Sequence, residues 1–434
     1  MDALIIIVSV LLVLLVLGVP ISFSMTAAGI VGLWVQRGWA GMEFLLGGSA
    51  YTTTGALALI VVPLFLFMGN MAFAAGLSDR AFQVARNWLG HITGGLGMAT
   101  IASCAAFATV SGSSIATAVT IAKVSVPQML RYGYSQKLAV ACSATGGTLG
   151  VLIPPSGILV VYSFVTNTSI PRLFAAALVP GILTALIYMG LVYMLVRTDR
   201  QMRTSTKLPK VVVKERVRSL TQIWEVAVLF IVVMGGLFLG LVTATEAAAL
   251  GAGMALIFAM TGGEGSRRSI LWNGLVNTGN ATSAIFLLLI GAALFGTAMS
   301  TTQVPQQLAL WMASLGYSKA VLTCLLIVPF LVLGCFIDGL SMITIMMPIL
   351  IPVLKQLDID PIFFGILVVK ATEIGAITPP VGLNVFVVKS VVPEVRTADA
   401  FLGVVPFVLA ELVILVLLIA IPSIVIWPST AVSF

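Results

Sequence analysis

Glu373-Ile-Gly-Ala-Ile-Thr-Pro-Pro-Val-Gly-Leu-Asn384 gathers a carboxylate, a hydroxyl, small residues and a proline pair inside one apolar run. An earlier stretch, Thr148-Leu-Gly-Val-Leu-Ile-Pro-Pro-Ser-Gly157, repeats the Gly and Pro-Pro spacing in a second apolar run. Proline removes a backbone N–H and clashes with the preceding turn, so both spans should break there. A break at membrane depth is tolerated only where it is buried in protein or lines a cavity. Two breaks in matching places point to a transport site. One half-helix exposes carbonyls that can coordinate Na⁺, and the other offers N–H groups that favour a carboxylate. Gly375-x-x-Thr378-x-x-Val381 supplies carbonyls and one hydroxyl, and Gly150-x-x-Ile153-x-x-Ser156 is its counterpart.

Two further apolar runs are interrupted by polar tips. Ser111, Ser113 and Ser114 interrupt residues 92–125, and Gly334, Asp338 and Ser341 interrupt residues 319–354. Each half of the first run is marginal for a full crossing, so a re-entrant hairpin fits better. A lone serine or glycine in a membrane helix is a packing residue. Two tips and two breaks together are what point to a site. Ionisable residues inside spans are costly, which makes Asp338 and Glu373 functional candidates. Lys370 stands three residues before Glu373 on one helix face, so an ion pair and a transport role for Glu373 are both open. Glu225, Glu246 and Glu411 read as structural or partner contacts.

The rest of the chain must position these groups in a bilayer. Of 434 residues, 60% are hydrophobic and 9% charged, with a mean hydropathy of +1.15; a soluble domain needs no such excess. The reading is an all-α polytopic membrane protein with about ten full crossings and two re-entrant hairpins. Acidic Asp2 precedes the first apolar run and no basic segment does, so this run reads as an uncleaved helix. The four cysteines lack metal-type spacing and His91 is the single histidine, which leaves little material for metal chemistry. The serine-rich tip has no adjacent base in sequence, which argues against an enzyme. A channel would need a continuous polar path, whereas broken helices suit alternating access.

Spans are expected at about 3–19, 20–35, 51–75, 138–163 (broken) and 170–196, with an interfacial segment at 37–50. After a basic linker, further spans fall at about 222–241, 243–260, 274–299, 361–391 (broken) and 400–427. Gly150, Pro154, Pro155 and Gly157 match Gly375, Pro379, Pro380 and Gly382 at one constant offset. The chain therefore divides into a first repeat, 1–196, a linker, 197–221, and a second repeat, 222–434. An odd number of crossings per repeat inverts the second against the first. Eight of the 22 basic residues crowd the linker: Arg197, Arg200, Arg203, Lys207, Lys210, Lys214, Arg216 and Arg218. Such juxtamembrane clusters are topology signals, and a lipid-headgroup contact is a second reading. A cytoplasmic linker brings Arg80, Arg86, Lys123, Arg131, Lys137, Arg267, Arg268, Lys389 and Arg396 inside too. Arg37, Arg172, Lys319 and Lys355 stay outside, which is the expected bias.

Ser-Gly-Ser-Ser, then Gly-x-Leu-Ile-Pro-Pro-Ser, then Gly-x-x-Thr-Pro-Pro-x-Gly-x-Asn resembles the large membrane subunit of tripartite ATP-independent periplasmic (TRAP) transporters, the DctM-like family. Gly18-Val-Pro-Ile-Ser-Phe23 also looks like that family, and the likeness runs essentially end to end. The resemblance implies an elevator-type secondary transporter in the bacterial inner membrane, importing an organic acid such as sialic acid or a C4-dicarboxylate with Na⁺. One Na⁺ site would use Ser111, Ser113, Gly150, Ile153 and Ser156, and another Gly334, Gly375, Thr378 and Val381. Substrate would lie near Ser114, Pro155, Asp338, Ser341 and Asn384. A periplasmic binding protein and a small membrane subunit of about four helices are the implied partners, the small subunit being expected as a separate chain. Proton coupling through Glu373 or Asp338 is the alternative mechanism.

Overall fold

The structure is a computed structural model, and it describes residues 2–199, 202, 208–263 and 265–432. The linker residues Arg200, Arg203 and Lys207 lie outside the described residues. All regular elements among the described residues are helical. The first half comprises α1 (Asp2–Val16), α2 (Ile21–Thr54), α3 (Val61–Ala74) and α4 (Leu77–Leu89). It continues with α5 (Gly95–Ser111), α6 (Ser114–Arg131), α7 (Gln136–Leu152), α8 (Gly157–Thr166) and α9 (Ile170–Thr198). The second half begins with α10 (Val213–Leu220), α11 (Trp224–Phe238), α12 (Ala244–Gly262), α13 (Arg267–Thr301) and α14 (Val304–Ser314). It ends with α15 (Lys319–Gly334), α16 (Gly339–Gln356), α17 (Pro361–Ile377), α18 (Leu383–Val391), α19 (Thr397–Ala420) and α20 (Ser423–Thr430).

Three of the four expected interruptions are closed by a side-chain cap. The α5–α6 turn passes through Gly112 at φ +60°, and Ser113 Oγ accepts the Ala116 N–H to start α6. The α15–α16 turn ends on Asp338, whose carboxylate accepts the Ser341 N–H at 3.1 Å. Helix α7 stops at Ile153 in extended backbone, and Ser156 caps α8 by accepting the Leu159 N–H. Helix α17 stops at Thr378, also extended, and Gly382 at φ +56° opens α18. Each cap answers N–H groups that a hydrocarbon environment would leave without partners.

Packing puts the broken helices at the centre. Every residue from Leu138 to Gly150 of α7 is buried, and so is every residue from Ile362 to Gly375 of α17. A helix apolar on all sides belongs in such a position. In the most hydrophobic window of Gln136–Thr166, 78% of residues are buried, against 33% in Ala244–Gly262, which places α12 at the rim. Peripheral helices turn large apolar side chains outward, among them Val16, Ile257, Leu409 and Val413. Hydrocarbon is the medium that makes such a surface stable.

Seven helical segments among the described residues are long and apolar enough to cross a membrane, or eight if the α10–α11 pair, bent by 47°, counts as one. The sequence reading expected about ten. Part of the difference lies in short helices, α1 having 15 residues and α17 having 17, while one of the seven, α16, is an arm of the expected second hairpin. The 37–50 segment lies largely in a second helix beyond Gly38, whose non-helical backbone (φ +70°, ψ −177°) breaks the Ile21–Thr54 run there. The expected 222–241 span is α11, which carries a π-turn at Ile231–Gly235.

Glycine contacts set the spacing between hairpins and broken helices. A Cβ on Gly375 would fall 2.3 Å from the Gly334 carbonyl carbon. Gly375→Ala must therefore push α15 and α17 apart, at a cost of about 1–3 kcal/mol. Its melting temperature in detergent should drop measurably below that of Gly253→Ala, where nothing lies within 4 Å. Equal melting of the two variants would refute this tight backbone contact.

Candidate functional site

The two tips and two breaks meet around one partly open cavity of about 180 Å³. Ser113 and Ser114 of the first tip line it, as do Gly334, Asp338 and Gly339 of the second. Gly157 from the first break and Asn384 from the second complete the ring, with Thr372 and Glu373 of α17 alongside. The first residues of α6, α8, α16 and α18 all border this space. Four helix N-termini thus face it, each carrying roughly half a positive charge.

The first tip packs on the first break. Ser111 Oγ and Thr117 Oγ1 are 2.6 Å apart, and a Cβ on Gly150 would stand 2.5 Å from the Ser113 carbonyl oxygen. The Gly157 N–H donates to the Gly112 carbonyl at 3.4 Å, with the Pro155 carbonyl beside Gly112. Ser156 Oγ donates to the Val151 carbonyl at 2.5 Å. The second pair is built alike: Gly334 abuts Gly375, and the Val381 N–H donates to the Cys335 carbonyl at 3.3 Å. Thr378 Oγ1 donates to the Ile374 carbonyl at 2.5 Å. These clusters present carbonyl and hydroxyl oxygens, hard donors of the kind an alkali cation takes, with no thiolate or imidazole among them.

The halves also engage crosswise. Asn384 Nδ2 donates to Ser114 Oγ at 2.5 Å and to the Ala144 carbonyl at 3.3 Å, while its Oδ1 has no partner. Gly339 of the second tip sits against Ile158 of the first broken helix. Of the expected site residues, Ser113, Ser114, Gly334, Asp338 and Asn384 line the cavity. Gly150 and Gly375 stand one contact behind, against Ser113 and Gly334, while Ser111 contacts Thr117 and Val381 contacts Cys335. Ile153 and Ser156 are buried at the first break. Pro155 and Ser341 do not line the cavity; Ser341 Oγ instead donates to Asp338 Oδ1 at 2.5 Å.

Sequence reading missed Thr117 and Thr372. Thr117 follows Ser114 by three residues on one helical turn, which is the signal that could have found it. It also understated Lys370. The Lys370 ammonium lies 2.7 Å from Glu373 Oε2, 2.5 Å from Glu411 Oε2 and 3.0 Å from Thr184 Oγ1, and both ion pairs are fully buried. The Tyr188 hydroxyl donates to the other Glu411 oxygen. Glu411 therefore stands mid-helix in α19, inside a network that ties α17 to α9 and α19. Glu225 pairs instead with Arg80 at 2.5 Å, and Glu246 forms the capping box of α12 with Thr243.

Removing one member of a buried ion pair leaves its partner uncompensated, at about 3–5 kcal/mol. Lys370→Met should consequently lose most of its folded, monodisperse protein, read by size exclusion after extraction. Adding Glu373→Gln and Glu411→Gln to Lys370→Met should recover much of it, since no charge is then stranded. A Lys370→Met protein as stable as the wild type would rule out this charge accounting.

Residues 8–424 match the sequence model of the tripartite ATP-independent periplasmic transporter DctM component. The chain is 35% identical over 376 residues to the C4-dicarboxylate TRAP transporter large permease protein DctM of Pseudomonas aeruginosa, covering 86% of each chain. It is 31% identical to the sialic acid TRAP transporter large permease protein SiaM of Vibrio cholerae, covering 94% of each. The ectoine/5-hydroxyectoine TRAP transporter large permease protein UehC of Ruegeria pomeroyi is also 31% identical, with 95% of this chain and 96% of that one covered. The crystal structure of the Alcanivorax borkumensis YdaH transporter shares the fold at a TM-score of 0.65 and 16% identity, over 88% of each chain. With its apolar helices, outward-facing hydrophobic surface and end-to-end sequence match, the chain belongs to the DctM family as the large permease subunit of a TRAP transporter, a multi-pass membrane protein and not an enzyme.

Proposed function

We propose that this chain is the carrier of a Na⁺-coupled importer of an organic acid, working by an elevator motion in a bacterial inner membrane. One observation carries the reading: both hairpin tips and both helix breaks border a single cavity. Helix N-termini around it favour a carboxylate, and carbonyls freed at the breaks suit a desolvated cation. Ser111, Ser113, Gly150, Ile153 and Ser156 would hold one Na⁺; Gly334, Gly375, Thr378 and Val381 would hold another. Substrate would sit between the tips, near Ser114, Asp338 and Asn384, with Pro155 and Ser341 supporting that wall from behind. Residues 1–196 and 222–434 act as inverted repeats about the linker 197–221, with about ten crossings in all. The relatives' names, a C4-dicarboxylate and a sialic acid permease, support an organic acid as cargo. A periplasmic binding protein would deliver it, and a small four-helix membrane subunit would brace the outer helices.

Uptake by the chain reconstituted with these partners should follow an inward Na⁺ gradient and stop when choline replaces Na⁺. Thr378→Val deletes one oxygen donor and should raise the Na⁺ concentration for half-maximal uptake about tenfold. Uptake sustained by a pH gradient without Na⁺ would favour proton coupling through Glu373 or Asp338, which both line the cavity. A Thr378→Val transporter with unaltered Na⁺ dependence would remove Thr378 from the site.

A further inference from the structure

Helix α10, eight residues long, divides its surface into distinct sectors. Val213, Val217 and Leu220 recur at helical spacing and share one face, where they are 70%, 55% and 44% exposed. Lys214 and Arg218, both exposed, flank that face on one side. Glu215, the one carboxylate of the helix, is exposed opposite the apolar face. The remaining sector turns inward to α4: Ser219 is buried there, and the Arg216 carbonyl accepts the Trp88 indole N–H at 3.1 Å. Two further contacts hold the segment in place. The Leu208 N–H donates to the Gly90 carbonyl at 3.2 Å, and Arg80 of α4 pairs with Glu225 at the start of α11. Helix α10 is thus fixed to the protein along one side, with its apolar and basic sectors facing away.

The apolar face runs on into a surface made for hydrocarbon. Helix α11 follows after a bend of 47°, and its Trp224 and Ile231 are exposed as well. Tryptophan at the start of a span marks the headgroup level. A helix with an apolar face and a basic flank, joined to a span at that level, lies in the plane of the membrane surface. Charge selects the kind of surface. Lys214 and Arg218, with exposed Lys210 just before the helix, gain attraction from an anionic leaflet and none from a neutral one. We propose that α10 is an interfacial anchor for anionic phospholipid. Val213, Val217 and Leu220 sit at the boundary between headgroups and acyl chains, and Lys214 and Arg218 meet lipid phosphates. Through Trp88 and Gly90 the anchor also holds α4, the helix that leads into the first hairpin.

The full chain in nanodiscs tests both parts of the proposal. Its melting temperature should rise as phosphatidylglycerol replaces phosphatidylcholine, because a ligand of the folded state stabilises it. High salt should reduce the gain. Lys214→Gln combined with Arg218→Gln should lose most of it, at roughly fivefold weaker binding for each charge removed. A nitroxide on Val217→Cys reports where the apolar face lies. Cys324→Ser and Cys335→Ser clear the background, since Cys104 and Cys142 are buried. Oxygen, which concentrates in hydrocarbon, should relax that label more than a water-soluble nickel chelate does. On Glu215→Cys the order should reverse. A Val217→Cys label reached preferentially by the chelate would put the face in water, as a docking surface for a protein would be, and overturn the proposal. So would a phosphatidylglycerol effect that is absent, or one equal in the double variant and the wild type.

Discussion

In hydrocarbon, every backbone donor and acceptor must find a partner within the protein. The rest of this structure follows from that constraint. A Pro-Pro pair frees carbonyls and interrupts the N–H ladder of α7 and again of α17. Such breaks are stable only if another part of the chain reaches them at mid-depth. The hairpin tips do so, and they approach closely because glycines stand at the contacts: Gly112 at Pro155, Gly150 at Ser113, Gly334 at Gly375. The Gly157-to-Gly112 and Val381-to-Cys335 hydrogen bonds are each made between a break and the tip beside it. Re-entrant loops and broken helices are therefore one structural solution, each element supplying what the other lacks.

The same economy governs charge. Three ionisable groups, Lys370, Glu373 and Glu411, are buried together where single ones would be prohibitive. Their contacts run between helices: Glu373 shares α17 with Lys370, while Glu411 comes from α19 and Thr184 and Tyr188 from α9. A buried ion network of this kind contributes little net stability against an apolar replacement, but it penalises any arrangement that separates its members. It fixes the rotation of α17, and with it the direction in which Glu373, Gly375 and Thr378 face. Positioning of the second break is thus set by a network that reaches the cavity wall at Glu373.

Much of this was legible in the sequence, for local reasons. Pro-Pro, Gly and Ser act on their own backbone, so the breaks at Pro154-Pro155 and Pro379-Pro380 and the turns at Ser111–Ser114 and Gly334–Ser341 could be placed by reading. The expectation that tips and breaks share a space rested on topology, and Ser113, Asp338 and Asn384 do line one cavity. What could not be read were contacts that depend on helix rotation and distance along the chain. Glu411 stands far from Lys370 in sequence, and nothing local marks it as its partner. Crossing number is harder to read, because α1 and α17 are shorter than a full span and the α2 run is broken at Gly38, which composition does not announce.

The crosswise contacts bear on how such a cavity can change its exposure. Asn384 of the second half holds Ser114 of the first, and Gly339 of the second tip rests on Ile158 behind the first break. Parting the two halves to open the cavity would break these contacts and expose the Asn384 amide to hydrocarbon or to an empty space, at the cost of unpaired buried polar groups. Carrying both tips and both breaks together preserves every one of them and changes only the outer packing against helices such as α2, α3, α12 and α13. That outer packing is largely apolar contact, with the Thr344 hydroxyl of α16 donating to Met25 Sδ of α2 at 4.0 Å; Asn70 to Thr278 and Gln36 to Ala298 join peripheral helices to one another. Sliding along such a surface exchanges like contacts for like. On energetic grounds, then, the two tips and two breaks hold together as one unit, and Val62 and Leu66 of α3 and Ile285 of α13 complete the cavity wall from the outer helices.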